Sequence, residues 1–268
     1  MVLLVLAFLA SLLPSVGLFL WLRKIEGDPE FEGICNKALL QGAITVLPVV
    51  GCSALLALGG AGLTLLFGLG GIPKAAYHDF IVLALSEELC KCFMFHKLLE
   101  KYQRAWSWMD YIILMTLVGI GFGLAEDIPY AIGAGAIVML IRGATCMHGG
   151  YGFIMGYFLG KAKKTGNKAW AVAGVVIPWL LHGFYDFGLS DEFAALGENT
   201  PYLSVSLAAF ALVTIVILII FFIRHRHDER YLTPTVPVPE LATSPEPTAE
   251  PSEENADTES EPSSLIES

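Results

Sequence analysis

Apolar runs dominate the chain, and they are too long for the core of a soluble domain. A helix rises 1.5 Å per residue, so about 20 mainly apolar residues cross a bilayer. Seven stretches reach that length, at about 1–22, 38–70, 77–98, 109–128, 135–160, 169–189 and 201–223. The pattern predicts an all-α fold, a polytopic transmembrane helical bundle of about seven spanning helices. The second stretch exceeds one span and contains Pro48 and many glycines, which predicts a tilt, a kink or a re-entrant piece. The first lacks a basic leader, and its apolar run is too long for a secretory signal, so it reads as a retained helix.

Basic residues then set the orientation, because cytoplasmic loops are enriched in Lys and Arg. Arg23, Lys24 and Lys37 follow the first stretch, and Lys97, Lys101 and Arg104 follow the third. Lys161, Lys163, Lys164 and Lys168 follow the fifth, and Arg224, Arg226 and Arg230 follow the seventh. These lie on alternate connections, whereas the opposite ones hold only Lys74. The N-terminus is expected outside and the C-terminus in the cytoplasm.

Composition agrees: 55% of the residues are hydrophobic and the mean hydropathy is +0.63. The formal charge of −10 misleads, because residues 231–268 hold nine acidic residues and no Lys or Arg. That tail carries −9 and leaves −1 for residues 1–230, so the charge says nothing about substrates. Its Pro, Glu, Ser and Thr cannot bury enough surface to fold. The expected organisation is an integral membrane helical domain over 1–230 and a disordered acidic cytoplasmic tail over 231–268. Cys35, Cys52, Cys90, Cys92 and Cys146 lie in or beside apolar runs at spacings that fit neither a zinc ribbon nor a disulfide framework. All five read as buried small apolar residues.

Ionisable residues inside spans are expensive and usually have a partner or a task. Glu87, Glu88 and Lys91 lie in the third stretch, with Glu126 and Asp127 in the fourth. Arg142 and His148 lie in the fifth, and His182 and Asp186 in the sixth. Counting along each span puts Glu87, Glu88 and His148 near the midplane and His182 roughly 5 Å outward, with Arg142, Glu126 and Asp186 roughly 8–11 Å outward. A cavity reaching from the outer surface to the membrane centre would collect them. Glu87 and Lys91, four apart, can pair along one helix face, which leaves Glu88 unexplained; Arg142 can balance a carboxylate. Asp186 follows His182 by four and so can orient its imidazole. His78, His96, His225 and His227 read as interfacial. Gly119 and Gly123, and Gly152, Gly156 and Gly160, recur every four residues and let helices approach closely, which makes the fourth and fifth helices interior.

These residues resemble the PrsW family of intramembrane proteases, relatives of the CAAX-prenyl endoprotease and bacteriocin-processing superfamily. Glu87-Glu88-Leu89-Cys90-Lys91 is similar to the family's E-E-x-x-K, and Phe122-Gly123-Leu124-Ala125-Glu126-Asp127 to its F-x-x-x-E-N. Arg142 to His148 with the following glycines, and His182-Gly183-Phe184-Tyr185-Asp186, resemble its third block and its final H-x-x-x-D. The likeness covers about 77–190, the expected catalytic core, and departs at Asp127, where the family commonly has Asn. It implies a bacterial cell-membrane protein that hydrolyses a peptide bond in a membrane-anchored substrate, such as an anti-sigma factor, on its extracytoplasmic side.

Amide hydrolysis needs an activated water, an oxyanion partner and a proton for the leaving amine. Glu87 is the expected base, with Glu88 beside it. His148 and His182 either bind the oxyanion directly or hold one zinc or similar divalent metal with Glu126 or Asp186 as third ligand. No HExxH is present, so metal-assisted and metal-free chemistry both stand. Lys91, Glu126, Arg142 and Asp186 are supporting residues. The partners expected are the lipid bilayer and a membrane-anchored protein, not nucleic acid. The competing class is a transporter or non-catalytic scaffold using the same charges. Two matching halves with broken helices, the mark of many transporters, are absent from the sequence, and a scaffold has no need of Glu87, His148 and His182 together.

Overall fold

Several helices start or stop for a reason readable in the chain. The computed structural model describes residues 2–102, 104–133, 140, 142, 143, 145–197 and 200–234. Among them there is no strand, only an isolated bridge between Ser107 and Pro234. Helix α1 (Val2–Leu22) turns Ala7, Ser11, Ser15, Leu18 and Leu22 inward, a spacing of three or four that marks one helical face, and leaves Leu6, Leu9 and Leu13 exposed. Helix α2 (Pro29–Ile44) begins where the Asp28 side chain accepts from the Glu30 amide and Pro29 occupies the first turn. It buries Phe31, Ile34, Cys35, Ala38 and Gly42.

The expected long second span is a 39-residue apolar run from Pro29 to Phe67, broken at Thr45. Pro48 is the cause: it has no N–H to offer the Ile44 carbonyl, so the chain re-starts as α3 (Val46–Phe67). Only Val49 of α3 is buried, whereas Leu65 and Phe67 are 86% and 77% exposed. A surface that apolar suits lipid.

Next comes an uninterrupted helical run: α4 (Gly71–Ala76), a π-helical stretch (Tyr77–Leu85) and α5 (Ser86–Lys101). It contains the expected span at 77–98, but Asp79, Glu87, Glu88 and Lys91 interrupt its apolar character. Helix α6 (Trp108–Gly133) is the central element. A reciprocal cap starts it, the Asp110 amide donating to Ser107 Oγ and the Ser107 amide to Asp110 Oδ2. Every residue from Trp106 to Phe122 is buried. Helix α7 (Met147–Thr165) is shorter than the expected span at 135–160. Cys146 adopts a left-handed φ of 42°, which interrupts any helix arriving from the N-terminal side; residues 134–139, 141 and 144 lie outside the described set. Helices α8 (Lys168–Leu189), α9 (Asp191–Ala194), α10 (Thr200–His225) and α11 (Glu229–Leu232) complete the set.

Four runs among the described residues are long and apolar enough to cross a membrane: Val5–Leu22, Pro29–Phe67, Trp108–Ala131 and Lys168–Leu189. One compact unit covers Met1–Pro237, so packing continues past residue 230. Tyr231 is buried with its ring 4.7 Å from that of Trp108. The acidic tail beyond Pro234 lies outside the described residues.

The glycines act as their spacing predicts. A Cβ on Gly152 or Gly156 would land on the Met115 or Tyr111 carbonyl, and one on Gly160 on the Trp108 ring. Across the same seam, a Cβ on Gly119 would meet the His148 carbonyl. On the other side of α6, Gly42 and Gly121 bring α2 equally close, against the Val118 and Leu39 carbonyls. Backbone-to-backbone approach of this kind is what a small residue at a helix interface permits.

The cysteine expectation needs one correction. Cys35, Cys90 and Cys146 are buried and Cys92 is half-buried, but Cys52 is exposed, because α3 packs on one side only. All five are free thiols. At the opposite end from the α3–α4 turn, Arg104 pairs with Glu26 at 3.1 Å and Asp28 at 2.8 Å. Burial and the neighbouring Asp110 carboxylate push Glu26 up to about 9.

Candidate active site

The π-helical stretch ends at Leu85, and the first two turns of α5 follow with Glu87, Glu88 and Lys91 turned inward. Ser86 anchors the junction: its hydroxyl donates to the Val82 carbonyl at 2.7 Å and lies 2.8 Å from Ser53 Oγ on α3. Wide π-turns are rare and recur at functional sites. The last turns of α6 bring Glu126 and Asp127, the first turn of α7 brings His148, and α8 brings His182 and Asp186.

All the sequence-predicted site residues converge. Glu88 is fully buried and is the anchor: its Oε1 accepts from Lys91 Nζ at 2.6 Å and from His182 Nδ1 at 2.9 Å. Lys91 lies farther from Glu87, 3.7 Å from Oε2. The expected Glu87–Lys91 pair is thus secondary to a Glu88–Lys91 pair, because the residue three back lies closer to the ammonium than the residue four back. Glu87 Oε2 is buried with no hydrogen-bond partner, 3.8 Å from His182 Nε2 and 4.0 Å from His148 Nδ1.

The two imidazoles are held differently. Lys91 Nζ lies 3.1 Å from His148 Nδ1, and an ammonium only donates, so Nδ1 accepts and Nε2–H faces Glu126 Oε2 at 2.6 Å. His182 has a carboxylate at each nitrogen, Glu88 at Nδ1 and Asp186 Oδ2 at 3.2 Å from Nε2. Arg142 balances carboxylates, as expected: Nη2 donates to Glu126 Oε2 and Nε to Asp127 Oδ1, both at 2.9 Å. Asp127, where the likeness departs, therefore has a partner.

A cavity of about 40 Å³, enough for a few water molecules, opens beside His148, His182, Glu126, Arg142 and Asp186. Among its lining residues that sequence reasoning did not single out, two bear on the site. Tyr151 stacks on His182 with centroids 4.9 Å apart, and its buried hydroxyl has no hydrogen-bond partner. Its position three residues after His148 was the available signal, since that spacing shares a face. Ser15 gave no signal, being an uncharged residue on a distant helix; its Oγ lies 3.3 Å from Cys146 Sγ.

The residues also suit a metal ion. Glu87, His148 and His182 each bring a donor atom within 4.8 Å of the others. One carboxylate and two imidazoles form a zinc-type donor set with a fourth position left for water. Of the third ligands anticipated from sequence, Glu126 stands behind His148, on the nitrogen away from Glu87, where such a carboxylate orients the ring, whereas Asp186 lies on the same Nε2 side of His182 as Glu87. Five carboxylates (Glu87, Glu88, Glu126, Asp127 and Asp186) face two fixed cations, Lys91 and Arg142, an imbalance that favours a further positive charge.

A family model described as PrsW family intramembrane metalloprotease matches residues 33–223. The chain belongs to the PrsW family. Among curated relatives, each called Protease PrsW, the Halalkalibacterium halodurans protein is 32% identical over 184 residues, covering 66% of this chain and 80% of the relative. The Bacillus subtilis protein is 29% identical over 188 residues, covering 68% and 81%. The Oceanobacillus iheyensis protein is 34% identical over 128 residues, covering 46% of this chain and 60% of that protein's length. No solved structure matches. As a PrsW family member with several apolar helices, the chain is an integral membrane protein.

Proposed function

We propose that this PrsW family chain is an intramembrane endopeptidase that hydrolyses a peptide bond in a membrane-anchored protein, with Glu87 as the base. One observation carries the assignment: Glu87, whose buried Oε2 has no hydrogen-bond partner, stands against the two imidazoles that line a water-sized cavity. Glu88 also leaves one oxygen unpartnered, but its other oxygen is held by Lys91 and His182 as a structural carboxylate would be, whereas Glu87 has no ion-pair contact shorter than 3.7 Å.

The chemistry follows from the placement. Glu87 accepts a proton as water adds to the scissile carbonyl carbon. His182, positioned by Glu88 and Asp186, is the imidazole that faces the developing oxyanion, and His148, held by Glu126 and Lys91, lies beside it. When the C–N bond breaks, the proton on Glu87 passes to the leaving amine, which restores the carboxylate. A divalent ion, if held by Glu87, His148 and His182, would supply Lewis acidity at the same place. Zinc is the ion that donor set favours.

The alternation of basic connections supports seven spans, the N-terminus outside and a cytoplasmic acidic tail. In that orientation the cavity lies toward the extracytoplasmic side of Glu87, where an anti-sigma-factor-like substrate would present its bond. The helical domain then carries the catalysis and the tail does not. The test is cleavage of a candidate single-pass substrate by purified protein with and without Glu87→Gln. A folded Glu87→Gln protein that cleaves at the wild-type rate would refute this reading.

A further inference from the structure

The site already contains a cation. Lys91 is fully buried, with its ammonium 2.6 Å from Glu88 Oε1, 3.1 Å from His148 Nδ1 and 3.7 Å from Glu87 Oε2. The Phe122 ring covers another side, 4.4 Å away at its centroid. His148 and Glu87 are two of the three residues able to hold a metal, and their nearest atoms are 4.0 Å apart. The ammonium is therefore closer to each of these atoms than they are to one another. A lone pair that accepts from an ammonium cannot ligate an ion at the same time. Two cations sharing these donors also repel strongly in a buried setting.

We infer that Lys91 is a tethered competitor for the metal site: its ammonium engages the donor atoms of Glu87 and His148 in the metal-free protein, and a divalent ion binds only after that ammonium withdraws. Glu88 gives it somewhere to stay. The second oxygen of Glu88 is buried without a partner, so Lys91 can keep its shortest ion pair on that carboxylate while releasing His148. Metal affinity is then set by a residue that ligates nothing, and the metal-free and metal-loaded arrangements exclude one another. This inference rests on the reading that Glu87, His148 and His182 can hold an ion.

Zinc titration of the purified full-length protein tests it, with free zinc buffered by a competing chelator and bound zinc counted by mass spectrometry. Lys91→Met removes the competitor and should reach half-loading at a free zinc concentration at least about tenfold lower than wild type, a difference of about 1.4 kcal/mol. Lys91→Arg retains a fixed cation and should load no better than wild type. Equal half-loading of all three proteins, or weaker loading of Lys91→Met, overturns the inference while leaving the metal site intact. If none of them takes up zinc while peptide cleavage persists, both the inference and the metal reading fall. Should Lys91→Met not fold, a structure of the zinc-loaded wild-type protein decides. Lys91 Nζ should have left hydrogen-bonding distance of His148, and finding it still at about 3 Å from a zinc-bound His148 refutes the competition.

Discussion

The adjacent glutamates Glu87 and Glu88 should fail in opposite ways when each is changed to glutamine. Glu88 holds Lys91 at 2.6 Å and His182 at 2.9 Å, and neither Glu88 nor Lys91 has exposed surface. Neutralising it leaves a buried ammonium without its closest counter-charge. Removing one partner of a buried ion pair typically costs about 3–5 kcal/mol. The amide oxygen of glutamine can still accept one hydrogen bond, which puts Glu88→Gln near the low end, about 3 kcal/mol. Glu87 makes no ion-pair contact shorter than 3.7 Å, and its Oε2 has no hydrogen-bond partner to lose, so Glu87→Gln should cost clearly less stability than Glu88→Gln. Its loss is chemical. An amide cannot take the proton of the attacking water, so cleavage should slow by at least about 10²-fold, equivalent to about 2.7 kcal/mol of barrier. Both quantities are measured on the same detergent preparations, stability by denaturant titration and turnover by following a single-pass substrate on gels. The reasoning is refuted if Glu87→Gln is the unstable variant and Glu88→Gln the stable, slow one, or if Glu87→Gln is stable and fully active.

Cysteines introduced into a cysteine-free background should react with an impermeant reagent from outside at residues 190–200 and from inside at residues 161–168; the reverse labelling would overturn the basic-residue orientation. Truncation after Pro237 should leave stability and cleavage unchanged. Truncation after Arg230 should cost about 1.5–3 kcal/mol, because it removes the buried Tyr231 ring from Trp108, and thermal melts of the two proteins separate these outcomes.

Much of the site was legible because charge is costly in an apolar helix. Glu87, Glu88, Lys91, Glu126, Arg142, His148, His182 and Asp186 stand out for that reason alone, and the structure gathers all of them. Their pairing was not legible. Glu87 and Glu88 are neighbours that can each reach Lys91, and only side-chain geometry makes Glu88 the anchor and leaves Glu87 Oε2 unpartnered. Irregular backbone was harder still. Pro48 signalled the break at Thr45, but nothing in Tyr77–Leu85 or at Cys146 distinguishes a π-helical stretch or a left-handed residue from ordinary helix. Ser15 was invisible because an uncharged residue in a span carries no excess cost to draw notice, and Tyr151 had only its spacing from His148 to mark it.

The convergence itself depends on glycine, and that dependence can be separated from simple stability. His148 reaches Glu126 at 2.6 Å because α7 lies directly on α6, with Gly119 beneath the His148 carbonyl and Gly123 beneath its ring. A methyl group at residue 119 would overlap that carbonyl, a backbone atom with no rotamer to escape into. Gly119→Ala must therefore push the first turn of α7 away. Overpacking of this kind costs about 1–3 kcal/mol. Gly160→Ala, twelve residues along α7 and about 18 Å away, would overlap the Trp108 ring and should be similarly destabilising. The two should differ in turnover per folded molecule. Gly119→Ala displaces the imidazole and should lose at least tenfold, whereas Gly160→Ala leaves His148 in place and should remain near wild type. Gly33→Ala, with nothing within 4 Å of its added methyl, should preserve both properties. If Gly119→Ala is destabilised yet cleaves normally per folded molecule, close packing of α6 on α7 serves stability alone, and the placement of His148 needs another explanation.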